Sequence, residues 1–476
     1  MVKVSKYIFR GYDLRGLVDK DLNPEILEHL GKAHGTFLKR HKIKKAVVSR
    51  DCRTTSEEYS QAFMRGLVWT GLDVIDIGME LVGTFYWAQY FLKCPGGAYI
   101  SASHNPAEYN GVKFAINFSE TMVSDSIQEL RQMVETEDYK QGKKLGQIRK
   151  ENIRSQYIAD LVKRLPLKKK FKIVVDPSNS TAGVIAPEFF QQAGCEVICS
   201  NCDLDPSFPL GTPDPTESRV AERLREKVLE TNADLGFSYD ADGDRIGIVD
   251  NKGNIIWNDV LVALLAIDAL HKHPGSTIIF NTLCSKVVPE TIKKYGGTPF
   301  MWRTGHSFIK KKSQEIKASF AGELSGHFFF SADFYNHDDG FYTSLALLHY
   351  LAETNQTLAQ AFSALPKYIS SPEIKVYAAD EKKVELISKI SIILKKDYAQ
   401  AEIIDDERAG DGVRLEMPDK MFVVRYSQNG PYITVKFEAK QLADYDELKH
   451  YINKLLHQFS EIDWQSEINV NIEAIE

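Results

Sequence analysis

In the stretch "YDADGDRIG", Asp240, Asp242 and Asp244 alternate, so three carboxylates project from one side of an extended loop. Held together they repel unless a cation sits between them. Donors that are all oxygen select a hard ion, and Mg²⁺, which keeps positions open for a phosphate oxygen, suits them. An EF-hand calcium loop needs Gly at its sixth position and Glu at its twelfth. Arg245 and Asn251 stand there instead, which excludes it. Arg245 adjoins the acids and serves either as a phosphate clamp or as an ion-pair partner. A second stretch, "YISASHNP", ends a strand on Ser101, Ser103 and His104 before an Asn-Pro turn. Alone it reads two ways: turn chemistry common wherever strands stop, or a hydroxyl nucleophile.

The elements around these loops repeat. "KKAVVSRDCRTTSEEYSQAFMRGLVWTGLDVIDIG", "KIVVDPSNSTAGVIAPEFFQQAGCEVICS" and "TIIFNTLCSKVVPETIKKYGGTPFMWRTG" share one score of apolar strand, polar loop, helix-period run, Gly stop and second strand. Gly71, Gly194 and Gly296 stand where helix C-caps belong. This order predicts parallel sheets with right-handed crossovers. Each unit then offers one more strand with a polar loop: "GGAYISASHNP", "ADLGFSYDADGDR" and "ASFAGELSGHFFF". The serine loop, the acidic loop and a Glu-Ser-Gly-His loop thus hold equivalent places, and reactive crevices lie beyond the carboxyl ends of such strands.

From about Ser370, after Pro-rich "SSPEI", helical runs alternate with the strands "MFVVRYS" and "YITVKFEA", predicting an unrelated α+β domain. Its functional candidate is the loop "RYSQNGP", and the acidic end "EIDWQSEINVNIEAIE" is expected to be peripheral. The predicted fold is α/β: three similar domains with mixed, largely parallel sheets, plus a C-terminal α+β domain, around a central cleft. The expected boundaries are 1–153, 154–254, 255–369 and 370–476.

A chain of 476 residues, 43% hydrophobic and 26% charged, is of soluble globular type and too long for one core. A net charge of −6 supplies no basic field for nucleic acid or acidic membrane. The clusters "LKRHKIKK" and "LPLKKKFK" read as solvated helix-to-strand connections. No apolar run approaches the roughly 18 residues of a membrane span. The start "MVKVSKYIFRGYD" lacks a signal-peptide core, so a cytoplasmic location is expected. Six cysteines do not suggest a disulfide framework. Cys195, Cys199 and Cys202 have the spacing of radical iron–sulfur enzymes. The alternation of "GCEVICSN" instead puts Cys195, Val197 and Cys199 on one buried strand face.

Taken in register, these motifs resemble the α-D-phosphohexomutase superfamily, in its phosphomannomutase/phosphoglucomutase branch, over nearly the whole chain. "FRGYDLRG", which holds Tyr12 and Arg15, is similar to the family's N-terminal phosphosugar loop. "SASHNP" resembles its phosphoserine loop, with Ser101 for the commoner Thr, and "DADGDR" its metal loop. "RTGHSFIKKK" resembles the interdomain loop before the sugar site, "GELSGH" the sugar loop, and "RYSQNGP" the phosphate loop of the last domain.

The resemblance implies reversible phosphate transfer between the 1- and 6-positions of a hexose phosphate. Ser103 aligns with the serine that carries the phosphoryl group, held with Asp240, Asp242 and Asp244 around Mg²⁺. The intermediate is a hexose 1,6-bisphosphate, also the activator, which turns over in the cleft. Arg15, Arg245, His104 and Lys113 are candidates around the transferring group, and phosphoryl transfer depends chiefly on such positioning and neutralisation. Lys113 matches a position proposed for proton transfer, and a base there is expected to have its pKa lowered by cationic neighbours. Tyr12, His306, Glu323, Ser325 and His327 would contact the sugar phosphate, and Arg425, Ser427 and Asn429 its distal phosphate.

The sequence departs from the family at three positions. Asn429 replaces Thr, which predicts altered phosphate affinity with function kept. Leu283 replaces a frequent Lys near the sugar, which predicts one fewer contact to substrate. Ser180 replaces a Gly in a loop read as structural. The partners implied are small-molecule hexose phosphates, with no nucleic acid or membrane, for a monomer or homodimer. Rival readings are a phosphoglucosamine mutase, a strict phosphoglucomutase, a metal phosphatase with an acidic nucleophile, and a non-catalytic phosphosugar-binding homologue. Leu324, between Glu323 and Ser325, resembles the dual-specificity branch, and the Asp-x-Asp-x-Thr of the phosphatases is absent.

Overall fold

Strand, helix and strand recur because each unit sets a β-branched apolar run before a helix-period run that stops at glycine. In the first unit these are Lys45–Arg50, Ser56–Trp69 and Asp73–Met79, followed by strand Gly96–Ile100. The second has Lys172–Asp176, Thr181–Gln192 and Glu196–Cys199, then Leu235–Tyr239. The third has Thr277–Asn281, Val287–Lys294 and Thr298–Trp302, then Phe320–Gly322. Gly71, Gly194 and Gly296 take φ of 84°, 91° and 78° just past their helices, the left-handed C-cap geometry that glycine adopts without penalty.

The structure is a computed structural model that describes residues 3–428 and 430–475. Within each unit the repeated strands pair in parallel. Antiparallel neighbours complete the sheets. Tyr109–Asn117 lies between Gly96–Ile100 and Leu14–Leu17, Ile246–Asp250 pairs with Leu235–Tyr239, and Phe328–Phe329 pairs with Phe320–Gly322. The three domains are therefore α/β with mixed sheets, in which the repeated strands run parallel and the added neighbours antiparallel.

The fourth domain is an antiparallel sheet that includes Gly412–Glu416, Lys420–Tyr426, Tyr432–Ala439 and Ile374–Ala378. Alternation in Lys420–Tyr426 decides how it docks. Phe422 and Val424 join Leu386, Ile390, Leu448 and Ile452 from this domain's own helices. Met421 and Val423 point the other way, into the large core shared by the first three domains. Among the described residues no helix is long and apolar enough to cross a membrane.

Two local expectations are corrected. Cys195 is buried but Cys199 is exposed, because Glu196–Cys199 is the edge strand of its sheet. The chain end is not peripheral. Ile475 is fully buried in the fourth domain's core. Asn471 Oδ1 accepts from Ser218 N and Oγ (3.2 and 2.8 Å), while its Nδ2 donates to the carbonyls of Thr216 and Glu373 (3.2 and 2.8 Å). Apolar residues spaced among the acids of the tail give it a buried side.

Candidate functional site

Ser103 lies three residues past the end of strand Gly96–Ile100 and takes φ of 49°, a left-handed conformation that costs a non-glycine residue about 1–3 kcal/mol. Ser101 Oγ accepts from Ser103 N at 2.7 Å and donates to Asp242 Oδ2 at 3.2 Å. Ser103 Oγ donates to Asp240 Oδ2 at 2.8 Å and lies 3.2 Å from His104 Nδ1. Burial and the neighbouring Arg245 hold the His104 imidazole well below its usual range.

Asp240, Asp242 and Asp244 sit in a tight turn between Leu235–Tyr239 and Ile246–Asp250, with Gly243 at φ 74°, rather than in an extended loop. All three are buried, and each offers an oxygen within 4.8 Å of the others. Asp242 Oδ1 and Asp244 Oδ1 are buried without hydrogen-bond partners. Carboxylates this close, with oxygens to spare, fit a hard divalent cation. Burial and the charges of Asp244 and Asp242 push Asp240 well above the usual carboxylate range. Burial acts the same way on Asp242, but Lys113 overrides it and brings the group down to about 2.

Lys113 lies within strand Tyr109–Asn117, its Nζ 2.8 Å from Asp242 and 2.7 Å from Asp244. Burial works to lower its pKa, yet the two carboxylates hold the ammonium well above its ordinary range. This reverses the expected lowering, because its nearest partners are anions and not cations. Arg15 donates to Asp13 Oδ2 at 2.9 Å, to Asn105 Oδ1 at 2.6 Å and to the Ala102 carbonyl at 3.2 Å, gripping the flanks of the serine loop.

Arg245 joins the two sides of the cavity. Its backbone N–H donates to Asp240 Oδ1 at 3.1 Å and its Nε to His327 Nε2 at 3.0 Å. His327 Nδ1 is 2.8 Å from Asp338 Oδ2, so Asp338, His327, Arg245 and Asp240 form one line of polar contacts. His306 opens the helix His306–Ile316, with its ring 4.7 Å from that of Tyr12 and 5.3 Å from that of His327. Its Nε2 is buried without a hydrogen-bond partner, and burial holds the imidazole well below its usual range. Glu323 Oε1 accepts from Gly305 N at 2.9 Å, while Oε2 is buried without a partner; burial raises this carboxyl.

The Arg425 guanidinium, expected to contact the distal phosphate, faces Asp411, donating from Nε to Oδ1 at 2.8 Å and from Nη2 to Oδ2. Ser427 Oγ accepts from Gly430 N at 3.2 Å, and its carbonyl accepts from Lys383 Nζ at 2.7 Å. Asn429 lies outside the described residues. Tyr12, His104, Arg245, His306, Glu323, Ser325, His327, Arg425 and Ser427 border one cavity of about 40 Å³. That volume holds about one water, while an adjoining pocket of about 640 Å³ shares His104, Lys375 and Tyr432 with it and reaches Arg10, Asp214 and Asn471. Ser103 is only 1% exposed behind it.

Contacts also cross between the domains. Arg10 reaches Asp380 at 2.8 Å, Lys375 reaches Asp214 at 2.6 Å, and Thr282 Oγ1 donates to the Arg408 carbonyl at 2.6 Å. Lys375, Glu373 and Asp338 escaped the sequence reading. Adjacent acids in "NHDDGFY" were an available signal, since one caps a helix and the other needs a second reason to be there. Leu283 is fully buried in the main core and brings no polar group to the cavity. Ser180 Oγ donates to the Pro177 carbonyl at 2.6 Å and approaches the Asp240 carbonyl at 3.4 Å, so its loop braces the acidic turn.

This fold and site define a four-domain α/β protein with a serine–carboxylate centre at its domain junction. Models described as phosphoglucomutase/phosphomannomutase, alpha/beta/alpha domains I, II and III, match residues 6–141, 155–253 and 257–368. The chain belongs to the phosphoglucomutase/phosphomannomutase family. It is 37% identical over 442 residues to a phosphomannomutase/phosphoglucomutase of Pseudomonas putida, covering 93% of this chain and 94% of that protein. It is 30% identical over 466 residues to a phosphoglucomutase of Neisseria meningitidis serogroup A, covering 98% of this chain and all of the other. The solved structure of a Burkholderia thailandensis phosphoglucomutase/phosphomannomutase family protein superposes with a TM-score of 0.87 at 32% identity, over 96% of this chain and 98% of that one.

Proposed function

We propose that this protein is a phosphohexomutase, an intramolecular phosphotransferase that interconverts the 1- and 6-phosphates of mannose, glucose or both. Ser103 is its phosphoryl carrier, in a first domain of residues 1–153; residues 154–254 hold the metal, 255–369 the sugar and 370–476 the distal phosphate. The observation that carries this reading is Ser103 Oγ at 2.8 Å from Asp240, inside a buried group of three carboxylates. Mg²⁺ held by Asp240, Asp242 and Asp244 would supply charge neutralisation for the transferring phosphoryl group.

The chain's own residues do the rest. Arg15 and Asn105 brace the serine loop, and Lys113 balances the negative charge of Asp242 and Asp244. In the forward step the bond from Ser103 Oγ to phosphorus breaks and a bond from the sugar hydroxyl oxygen to phosphorus forms. The hydroxyl proton leaves the sugar oxygen as that bond forms, and over the whole step one proton is returned to the departing Ser103 Oγ. The resulting hexose 1,6-bisphosphate turns over and returns its other phosphate to Ser103. Glu323 and Ser325 bind sugar hydroxyls, and Tyr12, Arg425, Ser427 and Asn429 take the phosphate that is not reacting. The cavity of about 40 Å³ widens to hold a hexose phosphate, and movement of domain 370–476 would supply the space.

A panel of mannose, glucose and glucosamine 1-phosphates, assayed with Mg²⁺ and a hexose 1,6-bisphosphate, tests the proposal. Conversion of mannose or glucose phosphate is expected. Binding of every sugar with conversion of none would overturn it.

A further inference from the structure

Arg53 occupies the polar loop between strand Lys45–Arg50 and helix Ser56–Trp69, outside every motif that drew attention in the sequence. It is 2% exposed, and its guanidinium is spent almost wholly on one loop. Nη2 donates to the carbonyls of Ser103 and Asn105, both at 2.6 Å. Nη1 donates to the carbonyls of Pro106 and Tyr109 at 2.6 and 3.0 Å. Nε donates to Asp51 Oδ2 at 3.1 Å. A guanidinium has five N–H donors in a rigid plane, and here they meet four carbonyls of residues 103–109 and one carboxylate.

That carboxylate is itself fixed. Asp51 is fully buried and accepts from Arg53 N at 3.0 Å and from Ser56 Oγ at 2.5 Å. On its other side the guanidinium lies 5.2 Å from the Phe208 ring centroid. Phe208 packs with Ala241, the residue between Asp240 and Asp242. Arg53 therefore touches the serine loop through hydrogen bonds and the acidic turn through one intervening ring.

We propose that Arg53 is the positioning residue that sets Ser103 against the acidic turn, by clamping the carbonyls of residues 103–109 and stacking on Phe208. Four converging donors hold the backbone on which the left-handed Ser103 depends, so the hydroxyl arrives in one geometry. The inference rests on the reading of Ser103 as phosphoryl carrier.

Arg53→Lys keeps the charge and the stem but replaces the planar fork with a point donor. Because a misplacement of about 1 Å costs a reacting group about 100-fold, kcat of the folded variant is expected to fall about 100-fold with KM within about threefold. Labelling of Ser103 by a hexose 1,6-bisphosphate slows by a similar factor. Arg53→Gln, which keeps a planar donor for part of the loop, retains more activity than Arg53→Lys and serves as the test if the latter does not fold. Unchanged kcat in the folded variants, or kcat and KM altered together by one factor, would overturn the role. Ser103→Ala, run beside them, separates the two claims: full activity there defeats the carrier reading itself, whatever Arg53 does.

Discussion

Ser103 Oγ, Lys113 Nζ and Arg245 Nε each have a partner between 2.7 and 3.0 Å, whereas Glu323 Oε2 and His306 Nε2, across the same cavity, are buried with none. The first side is preorganised. Its orphans, Asp242 Oδ1 and Asp244 Oδ1, are oxygens suited to a cation. The second side leaves polar atoms unpaired at a cost of about 1–3 kcal/mol each, which a polar ligand would recover. On the proposed reading, chemistry belongs to the first side and recognition to the second, with the fourth domain as the cover.

The largest expected effect lies on the first side. Ser103→Ala should lower kcat by on the order of 10³-fold or more, with the KM of any residual activity little changed. Steady-state kinetics with glucose 1-phosphate checks this, and an equal rise in KM would erase the contrast between the walls. Chelation of divalent metal should abolish turnover, and added Mg²⁺ should restore it.

On the second side, Glu323→Gln should reduce kcat/KM by roughly 10- to 100-fold, the weight of hydrogen bonds to a charged group. Phosphorylation of Ser103 by a bisphosphate donor should keep its extent in this variant, since Glu323 belongs to the other wall. Loss of both together would show that the two walls are one unit.

These walls were unequally legible in the sequence. Asp240, Asp242 and Asp244 announced themselves because three alternating carboxylates have few reasons to be together. The repeated strand–helix–strand order exposed the three α/β domains, and Gly71, Gly194 and Gly296 marked the helix ends. What stayed hidden were pairings between distant segments. Asp338 against His327, Asp214 against Lys375 and Asp411 against Arg425 each join residues whose closeness only packing creates. The lysine expected to have a lowered pKa shows the same limit, since the residues beside Lys113 in sequence are not those beside it in space.

Smaller effects concern the cover. Asn471→Gly keeps the left-handed backbone at φ 55° but deletes four side-chain contacts between the tail, residues 216–218 and Glu373. Weakened by roughly 1–3 kcal/mol, this arrangement of domains should give way to a more open one, with a larger radius of gyration in X-ray scattering. An unchanged radius would show that the tail does not hold the arrangement.

The smallest effect is on stability. Burial pushes His34 down to about 4 from 6.5, with Nε2 at 3.0 Å from the Gly97 carbonyl. The unfolded chain therefore takes up this proton first, so the stabilisation is complete above pH 6.5 and is lost as pH falls toward 4. His34→Gln should flatten the fall in melting temperature across that window, and an unaltered slope would assign it to other groups.

The most direct measurement follows phosphorus. The protein is incubated with a hexose 1,6-bisphosphate and Mg²⁺, weighed intact and mapped by peptide mass spectrometry. A single added phosphoryl group on Ser103, discharged on addition of hexose 1-phosphate, is the predicted result. Turnover of the sugar with Ser103 never modified, or with the phosphoryl group on another side chain, would contradict it.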